Sequence, residues 1–142
     1  MSTFRHQMRA RYSECDAQGV VFNANYLMYF DVAMTELWRE AIGPYEAAMA
    51  EHGVDMVVAE ARIRYLAPLR FDDEFELAAE VTNLGTTSMT TALTAERDGR
   101  TAAEGELRHV FIDPASSEKA RIPQPIRAAL DPYAAAREAK NA

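Results

Sequence analysis

Asp16 lies in a short polar loop, Glu14-Cys15-Asp16-Ala17-Gln18-Gly19, which leads through Val20, Val21 and Phe22 to Asn23, Asn25 and a long apolar segment. That places a carboxylate just upstream of a helix N-terminus, where partial positive charge and free backbone N–H groups accumulate. Such a carboxylate can act as a nucleophile or as a base on water, and the N–H groups can stabilise a developing negative charge. A loop aspartate can equally close an Asx turn or cap a helix. Cys15 stands beside Asp16, yet His6, His52 and His109 all lie outside this loop, so no base is at hand for a thiolate. Cys15 therefore reads as a small packed side chain. Glu14 reads as a solvated or structural carboxylate, or as a like charge that raises the pKa of Asp16. His109 shares a strand face with Leu107 and Phe111 and reads as a hydrogen-bonded core histidine. No spacing of His, Cys and carboxylates has the form of a metal site.

The elements that must position these groups follow from periodicity. From Tyr26 to Ile42 the strongly polar residues are Asp31, Thr35, Glu36, Arg39 and Glu40, which fall in one narrow stripe at 3.6 residues per turn. Most of that helix must be covered, and its length of about 25 Å spans a small domain. Pro44 and Gly53 bracket a second, short helix over Pro44–His52. Thr3–Tyr12 has the length of a first strand. From Met56 the period becomes two, with Ala61, Ile63 and Tyr65 on one face and Arg62 and Arg64 on the other, up to Pro68. Glu74–Thr82 alternates cleanly, Asn83-Leu84-Gly85 reads as a turn, and Thr86–Glu96 is rich in threonine. Asp98-Gly99 is a strong hairpin signal before the last strand, Thr101–Asp113. Gln124–Lys140 can form a surface helix or tail interrupted at Pro132. These elements predict an α+β domain with a helix on one face of an antiparallel sheet.

Composition sets broader bounds. The 142 residues suit one domain with a sizeable core, and 49% hydrophobic with 26% charged residues is ordinary for a soluble protein. A formal net charge of −7 with no Lys/Arg cluster argues against a general nucleic-acid or anionic-membrane binder. The single cysteine excludes an internal disulfide and fits a reducing compartment. With no apolar run near membrane-spanning length and no leader pattern at Met1–Ala10, the cytoplasm is the default location.

The run Asp16-Ala17-Gln18-Gly19-Val20-Val21-Phe22-Asn23-Ala24-Asn25-Tyr26 resembles the Asp-x-x-Gly-x-Val-(aromatic)-x-x-x-Tyr signature of the 4-hydroxybenzoyl-CoA thioesterase family of hotdog proteins. Arg64–Asp73, Asn83-Leu84-Gly85, Ala103-Glu104-Gly105 and His109–Asp113 occur in the same order as in that family, so the likeness extends over about residues 4 to 130. It implies a hotdog domain over residues 1–130, an antiparallel sheet wrapped around one long central helix, followed by a C-terminal helical tail over 131–142. It also implies hydrolysis of an acyl-CoA thioester without a cofactor, in a homodimer or homotetramer with active sites at the subunit interface. Carried over residue by residue, Asp16 is the catalytic carboxylate and the backbone N–H of Asn23 polarises the thioester carbonyl. Gly19, Phe22, Tyr26, Thr87 and Ser88 are substrate-binding candidates. Two positions depart from common family usage. Relatives often have His at Asn23, and often Arg or Lys at Thr86-Thr87-Ser88, where a cation suits the phosphates of coenzyme A. Arg62, Arg64, Arg70, Lys119 and Arg121 then remain as phosphate partners, and an acyl carrier protein becomes a second substrate form. A hotdog dehydratase or hydratase would instead need His109 paired with Asp16, and a non-catalytic acyl-thioester binding module would leave Asp16 turned away from the pocket.

Overall fold

A computed structural model describes residues 3–135. Its order is β1 (Phe4–Arg9), α1 (Asn25–Ala41), α2 (Tyr45–His52), β2 (Asp55–Tyr65), β3 (Glu74–Leu84), β4 (Ser88–Arg97), β5 (Arg100–Ile112) and α3 (Gln124–Leu130), with one-turn 3-10 segments at Tyr12–Glu14 and Asp131–Tyr133. The strands form one five-stranded sheet in the order β1-β3-β4-β5-β2. Every neighbouring pair is antiparallel, and β1 and β2 are its edges. Among the described residues no helix is long and apolar enough to cross a membrane.

α1 buries Tyr26, Tyr29, Phe30, Ala33, Met34, Leu37 and Trp38, one face at helical spacing. These side chains share a core with Phe75, Leu77, Leu93, Leu107 and Phe111 of the sheet. The polar stripe stays exposed at Asp31, Thr35, Arg39 and Glu40, as its pattern predicts, and the coverage is narrower than expected only where the apolar Leu27 is exposed as well. A single sheet face can dry only one side of a helix. α2 begins after Pro44 and ends at Gly53, as its bracketing residues predict. The Asp98-Gly99 hairpin also forms, with φ of 52° and 76° in the range a type I′ turn requires.

Two strands differ from simple alternation. β3 continues through Asn83 and Leu84, which pair with Thr90 and Met89 after a register shift beyond Val81, so the turn begins at Gly85 rather than at Asn83. β2 carries a similar shift between Val58 and Glu60. The extra residue, Ala59, changes the parity of the strand, which is how Met56 and Val58 come to share a face with Ala61, Ile63 and Tyr65. β2 is largely exposed along its length, including Val57 and Val58. In the C-terminal segment, α3 buries Ile126 and Leu130. Tyr133 donates to Glu40 of α1 at 2.7 Å, and Ala135 N–H donates to Val81 O at 2.7 Å. The rest of the expected tail, residues 136–142, lies outside the described residues.

Gly105 on β5 sits tightly between the backbone of β2 and Phe30 of α1. A Cβ there would collide with the carbonyl oxygen of Arg62 and stand 3.1 Å from Phe30 Cε2. Backbone cannot yield as a flexible side chain does. Gly105→Ala is therefore predicted to cost about 1–3 kcal/mol, as overpacked sites do, which a denaturant titration would register as a lower midpoint at unchanged slope. An unchanged midpoint would contradict this packing.

Candidate functional site

The loop from Glu14 to Phe22 closes on itself as a small hairpin. Asp16 N–H donates to Val20 O at 2.9 Å, Gly19 N–H donates to Asp16 O at 2.9 Å, and Phe22 N–H donates to Glu14 O at 2.9 Å. Gly19 has φ +78°, a backbone state that costs glycine nothing and lets the turn close. The loop is docked on the connection between β2 and β3. Val21 N–H donates to Leu69 O at 2.7 Å, and Val20 forms a bridge with Arg70.

Glu14 fastens this loop to α1. Its side chain is buried and accepts from Tyr29 Oη at 2.7 Å, from Arg11 N–H at 2.9 Å and from Arg11 Nε at 2.8 Å. Burial alone would raise its pKa, but the Arg11 backbone N–H, the Tyr29 hydroxyl and the Arg11 guanidinium outweigh it and hold the carboxyl below its ordinary value. Glu14 is thus a structural carboxylate already engaged on both oxygens. Its main-chain oxygen also accepts from Asn25 Nδ2 at 2.8 Å, which ties the loop to the first turn of α1. Cys15 has its thiol pKa raised, by burial first and then by Glu14, Asp16 and Asp73, so the thiolate is disfavoured and the packed-side-chain assignment stands.

Asp16 lines a cavity of about 460 Å³. Gln18, Val20 and Asn23 stand with it on one side, Tyr65–Pro68 form the other, and the buried Val21 and Tyr26 lie between. Asp16 Oδ1 accepts from Gln18 N–H at 2.8 Å, which is the Asx turn, while its other oxygen has no partner among the described residues. The turn and an active carboxylate are therefore compatible, since one oxygen is held and the other is open. The backbone N–H of Asn23 makes no hydrogen bond to any described residue, whereas its carbonyl accepts from Tyr65 Oη at 3.1 Å and from Tyr26 N–H at 3.3 Å. Tyr26 is packed edge-on against Tyr65, with ring centroids 5.4 Å apart.

Of the substrate-binding candidates, Tyr26 lines this cavity, while Gly19 and Phe22 flank it without lining it. Thr87 and Ser88 lie at the opposite end of the sheet, where Ser88 pairs with Val110. Tyr65 pairs with Ala103, and seven residues of strand, about 23 Å, separate Ala103 from Val110. A single chain does not bring Thr87 and Ser88 to Asp16. His109 lies toward that same far end of β5 and lines a different cavity from Asp16, so no His–Asp pair forms within one chain. His109 is buried, pairs with Val58 and Met89 across the sheet, and leaves Nδ1 without a partner, which corrects the expectation of a hydrogen-bonded core histidine. It lines a second cavity of about 160 Å³ with Asp31, Thr35, Trp38, Met56 and Val58. Among the described residues no group of His, Cys, Asp and Glu could hold a metal ion.

The Thioesterase-like superfamily profile matches residues 10–130. A curated relative, the acyl-CoA thioester hydrolase YbgC of Escherichia coli, is 33% identical over 124 residues, covering 87% of this chain and 92% of its own. The chain belongs to the thioesterase-like superfamily. A solved structure of a hypothetical protein from Thermus thermophilus superposes with a TM-score of 0.85 at 29% identity, over 95% of this chain and 100% of that one. A 1,4-dihydroxy-2-naphthoyl-CoA thioesterase from Synechocystis shares the fold at a TM-score of 0.83, over 91% of this chain and 96% of that one, with 18% identity. Within this superfamily's frame, sequence reasoning allowed a structural role for Glu14 but missed its partner Tyr29, and it missed the wall formed by Leu66 and Ala67. The wall residues had appeared only as part of a matching segment, and the Glu14–Tyr29 bond spans 15 positions between two elements.

Burial pushes the pKa of His109 down from 6.5 to about 4. The unfolded chain then binds its proton more readily between those values. Stability from the neutral imidazole is full above about pH 6.5 and is lost as pH falls toward 4, by on the order of 2 kcal/mol at pH 5. His109→Gln is predicted to flatten the fall in thermal midpoint between pH 7 and pH 5. Parallel pH profiles for the two proteins would contradict a neutral buried imidazole.

Proposed function

We propose that this chain hydrolyses acyl-CoA thioesters to a free acid and CoA-SH at the Asp16 cavity. The observation that carries this reading is that Asp16, with one oxygen open, and Asn23, with its N–H unengaged, line the same cavity next to the first turn of α1. A thioester carbonyl placed there has a carboxylate for its carbon and a donor for its oxygen. As a general base, Asp16 takes a proton from the attacking water. As a nucleophile it forms a mixed anhydride that water then opens. In both routes the C–S bond breaks, the sulfur leaves as a thiolate that gains a proton, and the carboxylate is restored. The acyl-CoA substrate is supported by the activity named for the YbgC relative. No cofactor takes part in either route.

The active form in this reading is a homodimer or a homotetramer. β2 is an open edge with exposed Val57 and Val58, and such edges pair readily. Antiparallel pairing of two β2 strands about a two-fold axis sets the Tyr65 end of one chain against the Asp55 end of the other. The Asp16 cavity of each protomer then meets the partner end that carries Thr87, Ser88 and the His109 cavity. The joined sheet encloses both long helices, which is the hotdog arrangement, with residues 1–130 as the catalytic domain and 131–142 as its tail. A cytoplasmic place suits a chain with one thiol and a coenzyme A ester as substrate.

Thiol release from a panel of aromatic, short and long acyl-CoAs tests this function. The wild type is predicted to release thiol from at least one member, and Asp16→Asn to be slower by about two powers of ten or more while sedimenting at the same mass as the wild type, a dimer or larger. Equal rates for the two proteins would remove Asp16 from the mechanism. A wild type inactive on every CoA ester but active on an acyl carrier protein would replace the substrate.

A further inference from the structure

Next to the Asp16 cavity lies a smaller one, about 180 Å³, that contains three arginines. Arg70 comes from the β2–β3 connection, and Arg97 and Arg100 come from the two sides of the Asp98-Gly99 hairpin. The two cavities share Ala67 and Pro68. Their common wall is fixed to β5, because the N–H groups of Leu66 and Ala67 both donate to Ala102 O, at 2.8 and 3.0 Å. Arg70 is in addition the residue that bridges Val20 in the Asp16 loop.

The charge balance here is unusual for this chain, which has 22 acidic against 15 basic residues. Elsewhere the described arginines other than Arg121 have carboxylate or carbonyl partners. Arg62 and Arg64 pair with Glu106 and Glu104 across the outer face of the sheet, Arg5 and Arg9 pair with carboxylates on β3, and Arg127 donates to the carbonyls of Leu84 and Gly85. In the small cavity only Arg97 has carboxylate neighbours, Asp73 at 3.5 Å and Asp98 at 3.6 Å. Asp73 also accepts from Arg70 N–H at 2.8 Å, so it braces the segment that presents Arg70. The guanidinium groups of Arg70 and Arg100 have no carboxylate of a described residue within ion-pair reach. Gathered cations of which two lack a counter-charge repel one another, and an anion bound among them relieves that cost. The fork of a guanidinium matches two phosphate oxygens at once.

We propose that Arg70, Arg97 and Arg100 anchor the phosphate groups of coenzyme A while its pantetheine arm runs past Ala67 and Pro68 to place the thioester at Asp16. This rests on the acyl-CoA reading above and assigns the phosphate contact that the β3–β4 turn, with Thr86, Thr87 and Ser88, does not supply as a cation. It also separates Arg70 from the other cations near the sheet. Arg62 and Arg64 are ion-paired on the outer face, and Lys119 and Arg121 follow β5 beyond Ile112, at the end of the sheet opposite the Asp16 loop.

The experiment compares one acyl group carried on coenzyme A and on pantetheine, which keeps the thioester arm and lacks the phosphates. Arg70→Ala and Arg100→Ala are each predicted to raise KM for the CoA ester by about tenfold, with kcat unchanged and the pantetheine ester unaffected. Arg62→Ala, which removes the same charge from the outer face, is predicted to leave both esters alone. Unchanged KM for the CoA ester, or equal losses on both esters, would overturn the proposal. So would a wild type for which only a carrier-protein thioester is sensitive to the two substitutions. Calorimetric binding of CoA itself keeps the site testable apart from hydrolysis. Weaker binding by both variants sustains the anchor even if no ester is cleaved, and a wild type that does not bind CoA removes it.

Discussion

The buried carboxylate of Glu14 is the constraint on which the rest of the site depends. A charge out of water is retained only where donors surround it, and here they come from the backbone and guanidinium of Arg11 and from Tyr29 of α1. Each hydrogen bond to a charged group contributes about 1.5–3 kcal/mol. The result is a loop that cannot drift from its helix. With Glu14 pinned, and its carbonyl holding Phe22 and Asn25, the chain between them has one compact path, and Asp16 stands at its tip.

The second constraint is the pairing of that tip to the β2–β3 connection. Val20 and Val21 join Arg70 and Leu69 as one short strand joins another, so the wall of the cavity and the loop that carries its carboxylate move as one body. Tyr65 closes the arrangement with its hydroxyl on Asn23 O and its ring on Tyr26. The Asn23 carbonyl is thereby occupied while its N–H is left free, a division of labour that suits an oxyanion donor. The sheet contributes by being unfinished. β2 has hydrogen-bonded neighbours on one side only, and its exposed residues lie between the Asp16 end and the His109 end of the molecule.

Much of this was legible from residues alone, and what was not has physical causes. The long helix, the short helix between Pro44 and Gly53, the Glu74–Thr82 alternation and the Asp98-Gly99 hairpin follow from local periodicity and turn chemistry, which neighbouring residues determine. The bulge at Ala59 and the late end of β3 do not, since each is set by the register of the strand alongside. Asp16 could be singled out as a candidate because carboxylate, glycine and helix start lie within one short run. The Glu14 anchor, the docking of Val20 on Arg70 and the free Nδ1 of His109 were hidden because each depends on partners far away in the chain. The arginine cavity was half visible. Arg70 stood among five candidates, while Arg97 and Arg100 joined it only once the hairpin folded back beside Ala67.

The most direct measurement is a crystal structure of Asp16→Asn bound to a non-hydrolysable acyl-CoA analogue in which a methylene replaces the thioester sulfur. The account predicts the analogue's carbonyl oxygen at about 3 Å from the Asn23 backbone nitrogen, with the side chain of residue 16 facing the carbonyl carbon. An ordered analogue whose carbonyl lies away from both groups would contradict it.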